Sequence, residues 1–184
     1  MKVHTQETAT LHEEITEAYK QRLGEIEDFE GDEEEKNTSF ERSYLHNAIF
    51  LHKLWFEQLE GEKNENDMDS SFLEEILKRR ESDLNTFIRW MNVFAFDAKP
   101  NGWAVWGWSY AQKTFVGFPI KSHDECVPLG VTPLIVIDCW EHSYQGDFGM
   151  EFQDYLDVFW REVNWDKIDQ RHKELAKLFG FNLK

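Results

Sequence analysis

The fold of this chain is decided by the stretch Pro133-Leu134-Ile135-Val136-Ile137-Asp138-Cys139-Trp140-Glu141-His142-Ser143-Tyr144. Its apolar run, residues 134–137, is short, β-branched and preceded by proline, which predicts a buried strand. The strand ends in Asp138, which needs a partner because an unpaired carboxylate in a core is very costly. A metal ion shared with His142 is one such partner, and an ion pair or a cap on the next turn are the alternatives.

The composition limits the possible classes of function. The chain has 184 residues, 41% hydrophobic and 15% aromatic, which suffices for one domain or two small lobes and excludes global disorder. A formal net charge of -16 argues against nucleic acid and anionic membrane surfaces, since both bind basic faces. No stretch approaches the roughly 18 apolar residues of a membrane span, and no signal or transit peptide is evident. Cys126 and Cys139 form no disulfide-dense pattern, so we expect a reducing, cytoplasmic location.

Two amphipathic helices are predicted in the N-terminal half. Residues 5–29 place His12 on an apolar stripe, and residues 39–60, which Ser39 can cap, do the same for His52. The acidic connection at 27–38 is interpreted as a solvated loop. Two long helices joined by one connection form an antiparallel hairpin, so the two imidazoles are expected to face each other. A lone His on an apolar face is usually structural, but two on facing helices indicate a metal site more strongly.

The pattern changes after a polar linker, where we place a domain boundary between residues 66 and 67. The sequence Ser71-Phe72-Leu73-Glu74 predicts a capped helix to about residue 80, and another helix follows from Leu84. Aromatic and β-branched runs at 103–110 and 114–120 predict a strand pair, and 134–138 predicts a third strand. Residues 152–163 and 168–179 have the spacing of amphipathic helices.

The candidate ligands are therefore His12, His52, Asp138 and His142. This set is too hard for copper(I) and lacks the thiolates of a structural zinc site. It suits one iron or manganese ion per chain, with an open position for water or a small oxidant. Because the ligands come from two helices, a strand end and the turn after it, the ion would tie the two halves of the chain together.

At this point the sequence resembles the iron/manganese superoxide dismutases. The stretch Asp138 to His142 is similar to that family's Asp-x-Trp-Glu-His signature, and Trp106-Gly107-Trp108 is similar to its Gly-Trp-x-Trp strand. The resemblance implies an α+β fold, with an N-terminal antiparallel helical hairpin (1–66) followed by an α/β lobe (67–184) with a three-stranded antiparallel sheet. It also implies the four metal ligands, superoxide as substrate, an antioxidant role, and a homodimer in which Glu141 reaches the partner's His142.

The resemblance also shows that the surroundings of the metal are changed. Lys20 stands where the family has its gateway Tyr, and its charge would help to draw in an anion. Cys126 stands where manganese enzymes supply a Gln to the bound solvent, and Ala48 stands where iron enzymes do so. Trp106 and Trp140 remain to wall the site. Since both Gln positions are substituted, the sequence does not separate iron from manganese.

Three interpretations remain open at this stage. The four ligand-type residues favour a superoxide dismutase. The altered surroundings favour a metal-binding protein of the same fold that has lost dismutation or acts on another oxidant. A metal-free scaffold that works through its acidic loop is the third, and the full ligand set disfavours it.

Overall fold

The computed structural model describes residues 3–28, 35–61 and 83–180, with only the backbone at 35–39. These parts contain six helices and three strands, which confirms the predicted α+β class. The helices are α1 (Gln6–Glu27), α2 (Glu35–Glu57), α3 (Leu84–Ala98), α4 (Glu141–Phe148), α5 (Phe152–Glu162) and α6 (Trp165–Phe179), and the strands are β1 (Gly102–Ser109), β2 (Thr114–Lys121) and β3 (Val131–Asp138). The predicted boundary at 66/67 and the predicted helix at 71–80 lie outside the described residues.

Helices α1 and α2 form the predicted antiparallel hairpin. Tyr19 of α1 packs on Tyr44 of α2. His12, which is earlier in α1, packs on Phe56, which is later in α2, so the two helices run in opposite directions. Helix α2 begins four residues before Ser39, and the predicted cap at that residue is therefore wrong. The predicted loop at 27–38 is also shorter than expected, because part of its acidic run joins the start of α2. Glu and Lys are good helix formers, so charge alone does not end a helix there.

The sheet has the order β2-β1-β3, and both pairs are antiparallel. The central strand β1 is buried at every position, as expected of a strand with neighbours on both sides. Trp103 in β1 pairs with Ile120 on one side and with Asp138 on the other. The register therefore places the acid at the end of β3 beside a fully buried indole.

Two side chains satisfy backbone groups along the outer edge of β3. The amide of Gln58 donates to the carbonyl oxygen of Val136 and accepts from its N–H at 3.3 Å. The guanidinium of Arg171 donates to Leu134 O at 2.7 Å and to Leu54 O at 3.2 Å. These bonds hold β3 against the end of α2 and against α6, two and four residues before its terminal acid.

Replacing Gln58 with Leu should lower the free energy of unfolding by about 3 kcal/mol, because two buried backbone groups lose their partners. Urea denaturation of the metal-free protein measures this. Gln153→Leu is the control, since Gln153 is exposed and its amide donates to Asp157 one turn away, and its effect should stay within about 0.5 kcal/mol. Equal midpoints for the two variants would contradict the role of Gln58.

Helix α4 was not predicted from the sequence. Only Ser143 and Tyr144 of its eight residues are buried, so it shows no apolar stripe for periodicity to detect. It begins immediately after Trp140, with Glu141 in its first turn, where a negative charge is favourable. The helix turns the chain back over the end of β3 and so brings His142 next to Asp138.

Candidate metal centre

Four side chains meet where α1, α2, the end of β3 and the start of α4 converge. They are His12, His52, Asp138 and His142, and one ligand atom from each lies within 4.8 Å of all the others. The Nε2 atoms lie 2.9 Å (His12), 3.4 Å (His142) and 3.7 Å (His52) from Oδ2 of Asp138. The structure therefore brings together the same four residues that the sequence singled out.

Hydrogen bonds with the backbone orient two of these side chains. Nδ1 of His52 donates to the carbonyl oxygen of Ala48 at 2.7 Å, one helical turn earlier, which turns Nε2 towards the cluster. Oδ1 of Asp138 accepts the N–H of Trp140 at 2.9 Å, which leaves Oδ2 to face the imidazoles. The carbonyl oxygen of Asp138 accepts the hydroxyl of Tyr155 at 2.7 Å, so the strand end itself is also anchored.

The protonation of the cluster suits a cation. Burial alone would raise the pKa of the Asp138 carboxyl, but His142 and His12 outweigh burial and hold that pKa well below its ordinary range. Burial lowers the pKa of His52 from 6.5 to about 4, so this imidazole is neutral at neutral pH. The buried Nε2 atoms of His52 and His142 form no hydrogen bond with any described residue. Imidazole nitrogens directed at one carboxylate are the arrangement that a metal ion with nitrogen and oxygen ligands requires.

Sequence reasoning missed His123, which is completely buried beside the cluster. Its ring stacks on Trp140 at 4.8 Å and lies 5.7 Å from His52, with Tyr44 at 4.6 Å on the edge. Neither of its ring nitrogens bonds to a described residue. Burial, and then the neighbouring His52, lower its pKa to about 3. The sequence offered one signal for His123, because a His in the loop before β3 is a further residue of a type that binds metals.

Cys126 does not occupy the place that the resemblance implied. It is exposed and has a positive φ of 61°. The chain folds tightly after β2, with Lys121 bridged to Glu125, and this turn directs His123 inwards instead. Within the described parts of the chain, His123 is the loop residue that lies against the cluster.

The structure also moves the gateway position from Lys20 to Tyr19. Lys20 is half exposed and forms an ion pair with Glu17 at 2.5 Å, so its charge is compensated on the surface. The ring of Tyr19 lies 5.8 Å from His52 and 5.6 Å from His123. The reason is helical periodicity: seven residues make about two turns, so Tyr19 shares the face of the first His and Lys20 is rotated away.

A similar correction applies to the tryptophans. Trp140 lies against the cluster, 6.0 Å from His142, as expected of a site wall. Trp106 packs on Phe87 at 5.2 Å, on the α3 side of the sheet. Trp103, by contrast, does lie at the site, 5.0 Å from His52. Residues three apart in a strand point to opposite faces, so Trp103 and Trp106 cannot both face the cluster.

The metal-free protein should lose stability as the pH falls from about 6.5 to about 4. The pKa values of His4 and His52 are lowered from 6.5 to about 4 and that of His123 to about 3, mainly by burial. In this window the unfolded chain takes up protons that the folded chain does not. Each of these imidazoles therefore lowers the free energy of unfolding by about 1 kcal/mol for every pH unit of acidification. Asp138 adds a further loss below its ordinary value of 3.8, because its folded carboxylate stays charged.

Urea midpoints across this pH range measure the effect. The variant His123→Phe should show a shallower slope, by about one proton, since it removes one of the three imidazoles. A midpoint that stays constant between about pH 6.5 and pH 5 would contradict the buried, neutral state of these side chains.

Comparison with known proteins agrees with this geometry. Residues 69–171 match the family model described as iron/manganese superoxide dismutases, C-terminal domain. The match contains Asp138 and His142, whereas His12 and His52 precede it. The fold and the site define a class of protein in which three His and one Asp are placed so that they could hold one metal ion. Since the family match covers more than half of the chain, the chain belongs to the iron/manganese superoxide dismutase family.

Several relatives share the same region. The chain is 31% identical over 106 residues to a superoxide dismutase [Mn] of Haloarcula marismortui, which is 57% of this chain and 52% of that protein. It is 28% identical over 120 residues to one from Mycolicibacterium smegmatis, covering 65% and 57% of the two chains. It is 26% identical over 121 residues to a superoxide dismutase [Fe] of Mycobacterium tuberculosis, covering 66% and 58%. The matched region thus spans little more than half the length of these relatives.

Among the residues that the structure describes, no helix is both long and apolar enough to cross a membrane.

Proposed function

We propose that this chain is a superoxide dismutase of the iron/manganese type, an oxidoreductase that converts superoxide to dioxygen and hydrogen peroxide. The buried cluster of His12, His52, Asp138 and His142, in a chain of that family, carries the proposal. Three imidazoles with a carboxylate suit one iron or manganese ion per chain. When bound, that ion would supply the one-electron chemistry by which one superoxide is oxidised and a second is reduced.

The surrounding side chains would exclude water and orient solvent. Trp103, Trp140 and Tyr19 pack around the imidazoles, and a dry site strengthens every electrostatic interaction within it. His123 is neutral at neutral pH, so it offers one hydrogen-bond donor and one acceptor beside the cluster. We assign to His123 the hydrogen bond to the solvent from which the product takes its protons, in place of the Gln expected from the resemblance.

Replacing His123 with Phe should lower turnover by about 10- to 100-fold while the protein still binds its metal. Phe retains the stack on Trp140 but removes both nitrogens. Metal content and superoxide consumption are measured on the same preparation. His172→Phe is the matched control, because His172 is equally buried but packs on Phe115, away from the cluster. Unchanged turnover in the His123 variant would remove this residue from the mechanism.

The test of the proposed activity is superoxide consumption by the full chain loaded with manganese or iron, compared with His142→Ala. We expect the loaded wild-type protein to exceed the variant by more than about 100-fold, because the variant lacks a metal ligand. Equal rates would overturn the proposal. Failure of the wild-type chain to bind either metal would overturn it at an earlier step.

The alternative function is a metal-binding protein of this family without dismutase activity or with another oxidant as substrate. The observation that favours it is the changed surroundings, in which Cys126 is exposed and His123 lies beside the cluster. A loaded protein that binds metal tightly but consumes superoxide no faster than His142→Ala would select this alternative.

We also infer a homodimer formed across the start of α4. Glu141 is exposed and the side chain of His142 is 15% exposed, so the cluster approaches the surface there. This exposure supports the contact between Glu141 and the partner's His142 that the resemblance implies. Sedimentation velocity of the full chain tests the inference, and a monomer at micromolar concentration would contradict it.

The free thiols of Cys126 and Cys139 support a reducing compartment such as the cytoplasm.

A further inference from the structure

His12 has one ring nitrogen that faces the cluster and one that faces away from it. Nε2 lies 2.9 Å from Asp138, so Nδ1 is the outer nitrogen. This Nδ1 is buried and bonds to no described residue, whereas the outer nitrogen of His52 donates to Ala48. A metal-binding His normally donates its outer N–H to a fixed acceptor, which sets the tautomer and the ring orientation. As a metal ligand, His12 would therefore need a hydrogen-bond acceptor next to its Nδ1.

His4 lies directly behind this outer side of His12. The two rings are 5.5 Å apart and nearly perpendicular, at 81°. The His4 side chain is only 6% exposed and packs on Trp55 at 5.0 Å. Its Nε2 forms no hydrogen bond within the described ranges. A second imidazole, buried and unused by the cluster, thus adjoins the unsatisfied nitrogen of a candidate ligand.

Asp147 in α4 orients His4. Its Oδ2 lies 3.5 Å from Nδ1 of His4, and its own position is set by Thr5, which donates its hydroxyl at 2.6 Å and its backbone N–H at 2.9 Å. A carboxylate accepts only, so it favours the proton on Nδ1 of His4 and leaves Nε2 with a lone pair. The same Thr5 caps the start of α1, the helix that carries His12.

A cleft of about 470 Å³ opens beside these rings. His4 and Trp55 line it, together with Val3 and Phe56. The cleft has room for a water molecule near His4, and a bridging water needs only that room and two or more polar partners. A water held at His4 on this side is the bridge by which the two imidazoles, 5.5 Å apart between ring centres, would be linked.

We propose that His4 is a positioning residue for His12, accepting its Nδ1–H directly or through one water while Asp147 holds His4 in the matching tautomer. With a metal ion on Nε2 of His12, the chain Asp147–His4–His12 would hold the remaining proton of His12 on Nδ1. This inference rests on the proposed metal binding by His12, since only then does the inner lone pair have a ligand to bind.

The tautomer can be measured on the wild-type protein without metal and without activity. The ¹⁵N chemical shifts of His4 in the metal-free chain should show a protonated Nδ1, next to Asp147, and an unprotonated Nε2. The reverse tautomer would overturn the proposal. This measurement requires no variant, so it stands even where a substitution at His4 prevents folding.

The affinity for Mn²⁺ alone tests the consequence for the site. His4→Phe keeps the ring on Trp55 but removes the acceptor, and should weaken Mn²⁺ binding by about 10- to 100-fold. His4→Gln, whose amide oxygen also accepts, should restore most of the affinity and the wild-type electron paramagnetic resonance spectrum of bound Mn²⁺. His46→Phe, at an exposed His paired with Glu27, is the control and should bind like the wild type.

The outcomes separate this inference from the function on which it rests. If the wild-type chain binds no Mn²⁺, the proposed metal site fails. If the wild-type chain binds Mn²⁺ and His4→Phe binds it equally well with the same spectrum, the metal site stands and the role of His4 is overturned. A loss of affinity that His4→Gln does not restore also overturns it, because that result indicates packing alone.

Discussion

Replacing Asp138 with Asn is expected to weaken Mn²⁺ binding to the metal-free protein by more than about 100-fold, since loss of a residue that only orients a ligand already costs 10- to 100-fold. Asn has the same shape, and its carbonyl oxygen can still accept the N–H of Trp140 at 2.9 Å. The substitution removes the one negative charge of the cluster. It also directs an amide N–H₂ group, which cannot coordinate a cation, towards the three imidazoles.

A Mn²⁺ titration followed by electron paramagnetic resonance of the free ion measures the affinity directly. Asp169→Asn is the control, because Asp169 is also mostly buried but pairs with Lys173 in α6, outside the cluster. It should bind Mn²⁺ like the wild type. Urea denaturation of both variants shows whether they are folded. A folded Asp138 variant that binds Mn²⁺ within about threefold of the wild type would contradict the assignment of this carboxylate as a ligand.

The cluster could be predicted from the sequence because its members obey local rules. Asp138 follows an apolar strand, and a buried acid at a strand end needs a partner wherever the strand lies. His12 and His52 lie on apolar stripes of long helices, so they point to the core whatever the exact helix ends are. An error of several residues in the start of α2 therefore left the prediction of the cluster unchanged.

The surroundings of the cluster were less predictable than the cluster itself, because they depend on the phase of helices and strands and on tertiary contacts. The choices between Tyr19 and Lys20 and between Trp103 and Trp106 are decided by helix and strand phase, which comparison by position alone ignores. His123 is turned inwards by a loop with positive φ values at Ser122 (58°) and Cys126 (61°), neither of which is a residue that signals such a conformation. Such features follow from packing and carry little local signal.

His4, near the start of the sequence, is another residue whose contacts could not be predicted. It precedes the first residue of α1, so no periodicity assigns it to a face. Its burial depends on Asp147, more than 140 residues away in sequence. The two residues meet only because α4, a helix without an apolar stripe, packs against the start of α1. A contact of this kind becomes visible only when the helices have been placed.

Replacing Gly102 with Ala is expected to be the most destabilising small substitution in the sheet. A Cβ at this position would overlap the carbonyl oxygen of Ile120 and lie 2.7 Å from that of Ala98. Both are backbone atoms, so neither can rotate away, and we expect a loss of about 3 kcal/mol in the free energy of unfolding. The carbonyl oxygen of Gly102 also accepts the N–H of Cys139 at 2.9 Å. A shift of β1 would therefore displace the end of β3 and weaken Mn²⁺ binding as well.

Gly24→Ala provides a matched control for this substitution. A Cβ at Gly24 in α1 would meet nothing within 4 Å, and Ala is a better helix former than Gly, so the control should raise stability by about 0.5–1 kcal/mol. Urea denaturation of the metal-free proteins compares the two glycines with the same added methyl group. Opposite signs are the expected result. If Gly102→Ala unfolds at the wild-type midpoint and binds Mn²⁺ normally, the close approach of β1 to β2 and α3 does not position the strand that carries Asp138.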